Sequence, residues 1–133
     1  MARYAIDPVT LVRLAEEDFE LPVDLFLVAP NVLRIEALEI LLTRVHDGRI
    51  GERDALRLHE RMTGYKIRLL GDRVSRRTAW DLATSHGWED LRDAEYIAIA
   101  QLQADALIAG DLHLAARAAG LVAQVDFDDL HAT

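Results

Sequence analysis

Four carboxylates occupy positions from which they could do chemistry. Asp7 closes the short run Arg3-Tyr4-Ala5-Ile6, and Asp111 follows a second run, Ala106-Leu107-Ile108-Ala109. Glu36 sits inside the otherwise apolar segment Val32 to Val45, and Asp93 opens another helical segment. If both short runs are parallel strands, Asp7 and Asp111 stand at strand C-terminal ends, where open α/β sheets hold their ligand crevice. Acidic groups converging there cannot all stay ionised without a cation. The chemistry expected is therefore a hard divalent metal site, Mg²⁺ or Mn²⁺.

Each acid also has a simpler explanation. Aspartate is a favoured helix N-cap and complements the positive helix end, so capping alone could account for Asp7, Asp93 and Asp111. Glu36 is harder to explain that way, because burying an unpaired carboxylate among Val32, Leu33 and Ile40 is costly. It must meet a cation, take up a proton or reach a solvent cleft. Glu39, one turn on, is a secondary candidate. His113 follows Asp111 and is read as a helix-surface residue beside the cleft, and Tyr96 as core or cleft wall. Carboxylate repulsion alone predicts that Asp7→Asn leaves metal-free stability unchanged or raised.

The elements that must position these groups alternate along the chain. Strands are expected at 3–6, 25–29, 66–70, 106–109 and 121–125. Helices are expected at 8–17, 31–45, 52–62, 74–86, 91–102 and 112–119. Asp7-Pro8 reads as an N-cap followed by proline at the first helical position. Apolar residues cover most of the circumference of 31–45, which predicts a buried helix. Trp80 and Leu82 are expected to point inward from 74–86. Strands alternating with helices predict an α/β fold, a three-layer α/β/α sandwich with a mainly parallel central sheet. No linker or internal repeat divides residues 1–133, so one domain is expected.

Half of the residues are apolar (51%) and 29% are charged, which is an ordinary globular profile. The absence of cysteine excludes disulfides, thiolate metal sites and a cysteine nucleophile. No signal-peptide pattern or membrane-length apolar stretch occurs, so a cytoplasmic protein without membrane contact is expected. Neither Ser75 nor Ser85 lies in a nucleophile-elbow context, and no nucleotide-binding glycine motif is present.

The net charge of −8 hides an asymmetry. Residues 44–77 hold ten Lys/Arg against five Asp/Glu, while the remainder holds five against eighteen. Arg53, Arg57 and Arg61 recur at i, i+4 and i+8 as one helical stripe, with Lys66, Arg73, Arg76 and Arg77 following. A basic face beside an acidic cleft suits a polyanion held near a metal, so these arginines are candidate contacts for its phosphates. A solvated surface is the competing reading.

Taken together, the segments Tyr4-Ala5-Ile6-Asp7, Val28 to Ala37, Asp93 to Ala100 and Ala106 to Ala115 resemble a PIN-domain ribonuclease of the VapC toxin type. Their order and spacing agree over almost the whole chain. The resemblance implies that Asp7, Glu36, Asp93 and Asp111 bind one or two Mg²⁺ or Mn²⁺ ions and carry endonucleolytic RNA hydrolysis. It also implies a small antitoxin partner of the VapB type and commonly a homodimer. Two departures stand out. Pro8-Val9 follows the first aspartate, displacing a hydroxyl residue to Thr10, and Ala109 stands where the family often has a hydroxyl residue. They leave open a catalytically weakened, PIN-like protein-binding module. A phosphoryl-transfer enzyme with Asp7 as nucleophile is disfavoured, because such enzymes resemble Asp-x-Asp and position 9 is Val.

Overall fold

In the computed structural model, which describes residues 2–132, strands and helices alternate from the first residues onward. The order is β1 (Ala2–Ile6), α1 (Pro8–Glu16), β2 (Leu25–Pro30), α2 (Leu33–His46), α3 (Glu52–Gly64), β3 (Ile67–Leu70), α4 (Arg73–His86), α5 (Arg92–Gln103), β4 (Ala106–Ile108) and α6 (Leu112–Ala118). A 3-10 turn, Phe127–Ala132, follows. The four strands form one sheet in the order β3-β2-β1-β4, and every pairing is parallel.

That order explains the layering. The chain steps outward from β1 through β2 to β3, then crosses back over the sheet to β4. Right-handed crossovers put the outward and return connections on opposite faces. Accordingly α1, α2 and α3 pack together, while α4 packs on α5 and α5 lies against β1 and β2. The result is the expected three-layer α/β/α sandwich. The strand order reverses between β1 and β4, which is where such sheets bind ligands.

The core is one cluster filled from both layers, with Leu11 and Leu14 of α1 and Ile97 and Ile99 of α5 buried around Ile6, Leu107 and Ile108 of the sheet. Each such side chain contributes roughly 1.5–3 kcal/mol relative to exposure. Helix ends are set locally. Asp7 caps α1 ahead of Pro8, and Asp72 and Ser75 bond each other's backbone in a capping box that starts α4.

Three sequence expectations are corrected. The helix read as buried on all sides, α2, buries one line only, Leu33, Ala37 and Leu41, and leaves Ile35 62% and Leu42 66% exposed. The helix that is buried almost all round is α5, from Ala94 through Ala100. Trp80 points outward, 56% exposed, because Ser75, Ala79, Leu82 and Ala83 form the inward face of α4. The fifth strand shrinks to a single parallel bridge between Leu107 and Gln124. The 3-10 turn after it packs back, with Phe127 and Leu130 buried in the core.

One close approach binds the two halves of the sheet edge. A Cβ on Gly110 would lie 2.7 Å from Val9 Cγ1 and 3.1 Å from the Thr10 backbone nitrogen. The loop after β4 can rest on the first turn of α1 only without a side chain there, and the β-branched Val9 has little freedom to yield. Gly110→Ala is expected to destabilise by about 1–3 kcal/mol. Urea unfolding of the variant beside the parent checks this; an unchanged midpoint would show that the loop does not need its close seat.

Candidate functional site

Asp7 is the last residue before α1, fully buried at the C-terminal end of β1. Its Oδ1 accepts from the Thr10 backbone N–H (2.9 Å), the Thr10 hydroxyl (2.6 Å) and the Gly110 N–H (3.0 Å). Its Oδ2 accepts from the Asp111 N–H at 2.9 Å. Capping is thus part of its role, but two of the four bonds reach across to the loop after β4. A carboxylate offers about four acceptor directions, two on each oxygen. With a single donor, Oδ2 keeps one direction open.

The Thr10 hydroxyl also lies 3.1 Å from the Ile108 carbonyl, so the displaced hydroxyl residue reaches the aspartate from one turn into the helix. Nothing in the geometry shows a need for a hydroxyl at Ala109.

Glu36 enters the site from the first turn of α2. Its Oε1 accepts from the Tyr96 hydroxyl at 2.7 Å, and its Oε2 lies 3.7 Å from Arg92 Nε. Asp93 does not cap α5: the cap position is Leu91, and Asp93 lies in the first turn. Its Oδ2 accepts from Arg117 Nη1 at 3.1 Å, and His113 Nδ1 lies 2.9 Å away. Asp111 caps α6 through the His113 N–H at 2.8 Å and is otherwise exposed.

All four predicted acids line one hollow of about 260 Å³, together with Glu39, Arg92, Tyr96 and Thr43. Among the described residues, however, no three acidic or histidine groups stand close enough together to hold a metal ion. The donor type suits a hard cation, since four carboxylates surround one polar hollow. In this conformation Arg92 lines the hollow beside Glu36, and Arg117, outside its lining, holds Asp93. A cation gathering these acids would take over interactions that the arginines now make. A larger hollow, about 1120 Å³, opens among the N-terminal ends of β2 and β3, lined by Phe26, Tyr65 and charges of both signs. It gathers no comparable set of acids.

Arg92 and Arg117 had no assigned role in the sequence reading, and Tyr96, read as core or cleft wall, lines the hollow. Adjacency was the one usable signal for Arg92, which precedes Asp93 directly. Arg117 is 24 residues from its partner Asp93, a pairing that only the fold makes. It also stacks on Trp88, 4.8 Å from the ring centroid.

None of the six candidate RNA-contacting arginines lines the hollow. Arg53 is exposed, Arg57 pairs with Asp54 at 3.4 Å, and Arg61 donates to the Ala15 carbonyl at 3.1 Å. The stripe is therefore divided, and Arg61 ties α3 to α1. Arg73, Arg76 and Arg77 sit exposed in the first turns of α4.

Burial, and then its bond to and the charge of Glu36, raise the Tyr96 phenol far above its ordinary value, so it remains a neutral donor. Burial, followed by the charge of Glu36, also raises Glu95 above the ordinary carboxyl value. No helix among the described residues is long and apolar enough to cross a membrane.

The chain is similar in fold to a solved structure, the crystal structure of PAE2754 from Pyrobaculum aerophilum. The two share a TM-score of 0.71 and 21% identity, over 99% of this chain and 98% of that one. At that identity the likeness concerns the fold alone. No protein-family model matches the chain, and no curated protein does.

The bonding of Asp7 reverses the expectation drawn from charge repulsion. Asparagine would set an NH₂ group against the Asp111 or Gly110 N–H, leaving a donor without an acceptor in a dry site. Asp7→Asn is expected to cost about 2–4 kcal/mol; equal or greater stability by urea unfolding would mean that repulsion outweighs the lost bonds. For Glu95 the folded carboxyl binds its proton more readily than the unfolded one. Stability therefore falls as pH rises from the ordinary carboxyl range through the raised folded value. Glu95→Gln should raise the thermal midpoint at neutral pH, with the difference closing as pH falls toward that lower limit.

Proposed function

We propose that the chain is a divalent-metal-dependent endoribonuclease of the PIN-domain, VapC toxin type, hydrolysing RNA phosphodiester bonds. The observation that carries this reading is the gathering of Asp7, Glu36, Asp93 and Asp111 around one hollow at the reversal point of a parallel sheet. The ordered motifs of the sequence support it, and the fold is of the class that the family implies.

In this reading the four acids would hold Mg²⁺ or Mn²⁺. When bound, such an ion polarises a phosphate oxygen and lowers the pKa of a bound water. The chain's own groups prepare the place. Tyr96 orients Glu36 through a bond that its high pKa keeps intact. The bonds of Asp7 to Thr10, Gly110 and Asp111 set one oxygen toward the hollow. Arg92, with a side chain 78% exposed, is free to swing from Glu36 to an incoming phosphate. Arg53 and Arg57 would add phosphate contacts farther along, which position RNA without reading its sequence. A cytoplasmic location and a homodimer belong to the same proposal.

A second reading, a PIN-like protein-binding module, is favoured by one separate feature. Between α2 and α3 lies a largely apolar hollow of about 660 Å³, lined by Ile35, Leu38, Leu42, Val45 and Leu56. An apolar segment of a small VapB-type antitoxin would fill it, and this contact is common to both readings. Only the carboxylate site separates them.

The test is cleavage of a mixed pool of structured RNA by the purified chain with Mg²⁺ or Mn²⁺, with EDTA, and by Asp93→Asn. Asp93 suits this purpose better than Asp7, because it holds no backbone bond among the described residues. Cleavage should require metal and fall to background in the variant. A parent chain that neither cleaves nor shifts its melting temperature with metal would favour the binding module.

A further inference from the structure

The outward face of α4 combines features that the carboxylate site does not use. At 100° per residue, Arg73, Arg76, Arg77 and Trp80 fall within roughly one 100° sector of the helix, with the buried Leu82 opposite. The two tryptophans differ sharply. Trp88 has His86 stacked at 4.8 Å and the Arg117 guanidinium over its ring. Trp80 is 56% exposed, and among the described residues no ring or guanidinium covers it.

The cations beside it are also available. Arg77 pairs with Asp81 at 3.1 Å, but Arg73 and Arg76 form no ion pair among the described residues. In a chain of net charge −8, an exposed arginine triplet beside a bare indole runs against the prevailing charge.

Position links this face to the carboxylates. The carbonyl of Leu70, at the end of β3, accepts from the Asn31 N–H at 3.0 Å, and α4 starts three residues later. Its N-terminus therefore begins at the sheet edge where Asp7 lies. Two strand spacings, roughly 10 Å, separate β3 from β1.

We propose that this face of α4 docks a single-stranded stretch of RNA, with a base stacked on Trp80 and backbone phosphates on Arg73, Arg76 and Arg77. Stacking on an aromatic side chain flanked by cations is the general chemistry of sequence-tolerant single-strand binding. The inference rests on the ribonuclease reading and adds to it where the substrate lies outside the hollow.

Intrinsic fluorescence tests it directly, because the chain has two tryptophans. Trp88→Phe leaves Trp80 as the sole indole and keeps an aromatic face for Arg117. An unstructured mixed-sequence RNA oligonucleotide is titrated in EDTA, so that binding is read without cleavage. Saturable quenching of Trp80 is expected. In the otherwise unaltered chain, Trp80→Ala should weaken binding about tenfold, with Trp80→Phe recovering most of it. Arg76→Ala should lower the slope of log affinity against log salt by about 0.7.

RNA binding without quenching, and with unchanged affinity in Trp80→Ala, would overturn the docking face. If the parent still cleaves RNA with metal, the ribonuclease reading survives that failure. A parent chain that neither binds nor cleaves RNA would overturn both. A dimer that Trp80→Ala converts to monomer, with RNA affinity unchanged, would assign the face to a second copy and also overturn the proposal.

Discussion

The buried carboxylate of Asp7 ties together parts of the chain a hundred residues apart. An ionised group out of contact with water is tolerable only when its lone pairs are taken up by donors. Asp7 meets three backbone N–H groups and one hydroxyl, from Thr10, Gly110 and Asp111. Two donors belong to the first turn of α1 and two to the loop leaving β4. The same bonds therefore start a helix, close the junction where strand order reverses, and fix the backbone of Asp111 beside that junction. Gly110 is required for the same contact, since the loop must approach Val9 closely enough to bond. Fold and candidate site share one interaction here, and no substitution at Asp7 touches only one of them.

Much of this architecture was legible in the sequence because it rests on local rules. The Asp7-Pro8 start of α1, the alternation of short apolar runs with helical segments, and the parallel sheet follow from capping chemistry and periodicity. The misreadings have a common cause, because which apolar face a helix buries is decided by its neighbours. The apolar residues of α2 cover most of its circumference, yet α1 and α3 pack against it and only Leu33, Ala37 and Leu41 are buried, leaving Ile35 and Leu42 outside. Small residues on α4, Ala79 and Ala83 with Ser75, give it a close-packing inner face that pushes the large Trp80 outward. The segment 121–125 has a strand-like composition but makes a single bridge at the outer side of β4.

The site was legible in membership but not in its charge balance. Asp7, Glu36, Asp93 and Asp111 were identifiable from their places relative to strands and helices. Their partners were not, because Tyr96 lies 60 residues from Glu36 and Arg117 lies 24 residues from Asp93. These cations and donors answer the problem that the acids pose to one another. Without a metal, Arg92, Arg117 and the His113 ring neutralise or bond what would otherwise be neighbouring like charges. The Glu95 carboxyl is raised first by burial and second by the charge of Glu36. A divalent ion entering the hollow would compete with Arg92 for Glu36 and with Arg117 for Asp93, so its occupancy would depend on a difference between two sets of interactions.

That competition bears on how the surface is organised. Four acids gather at the sheet edge near β1 and β4, while most cations of residues 44–77 lie on α3, β3 and α4. A polyanion approaching the acids directly would be repelled, and one held first by the arginines would not. Arg92 is the exception at the hollow itself, being exposed and bound to Glu36 only at 3.7 Å. In the proposed reading, long-range attraction and short-range chemistry would fall to different elements. The apolar α2–α3 hollow adds a third, uncharged surface on another layer. Because it does not overlap the α4 face, a protein partner and a nucleic acid would meet the chain on different helices. Such a partner would reach the acids through Glu39, which lines both the carboxylate hollow and the apolar one.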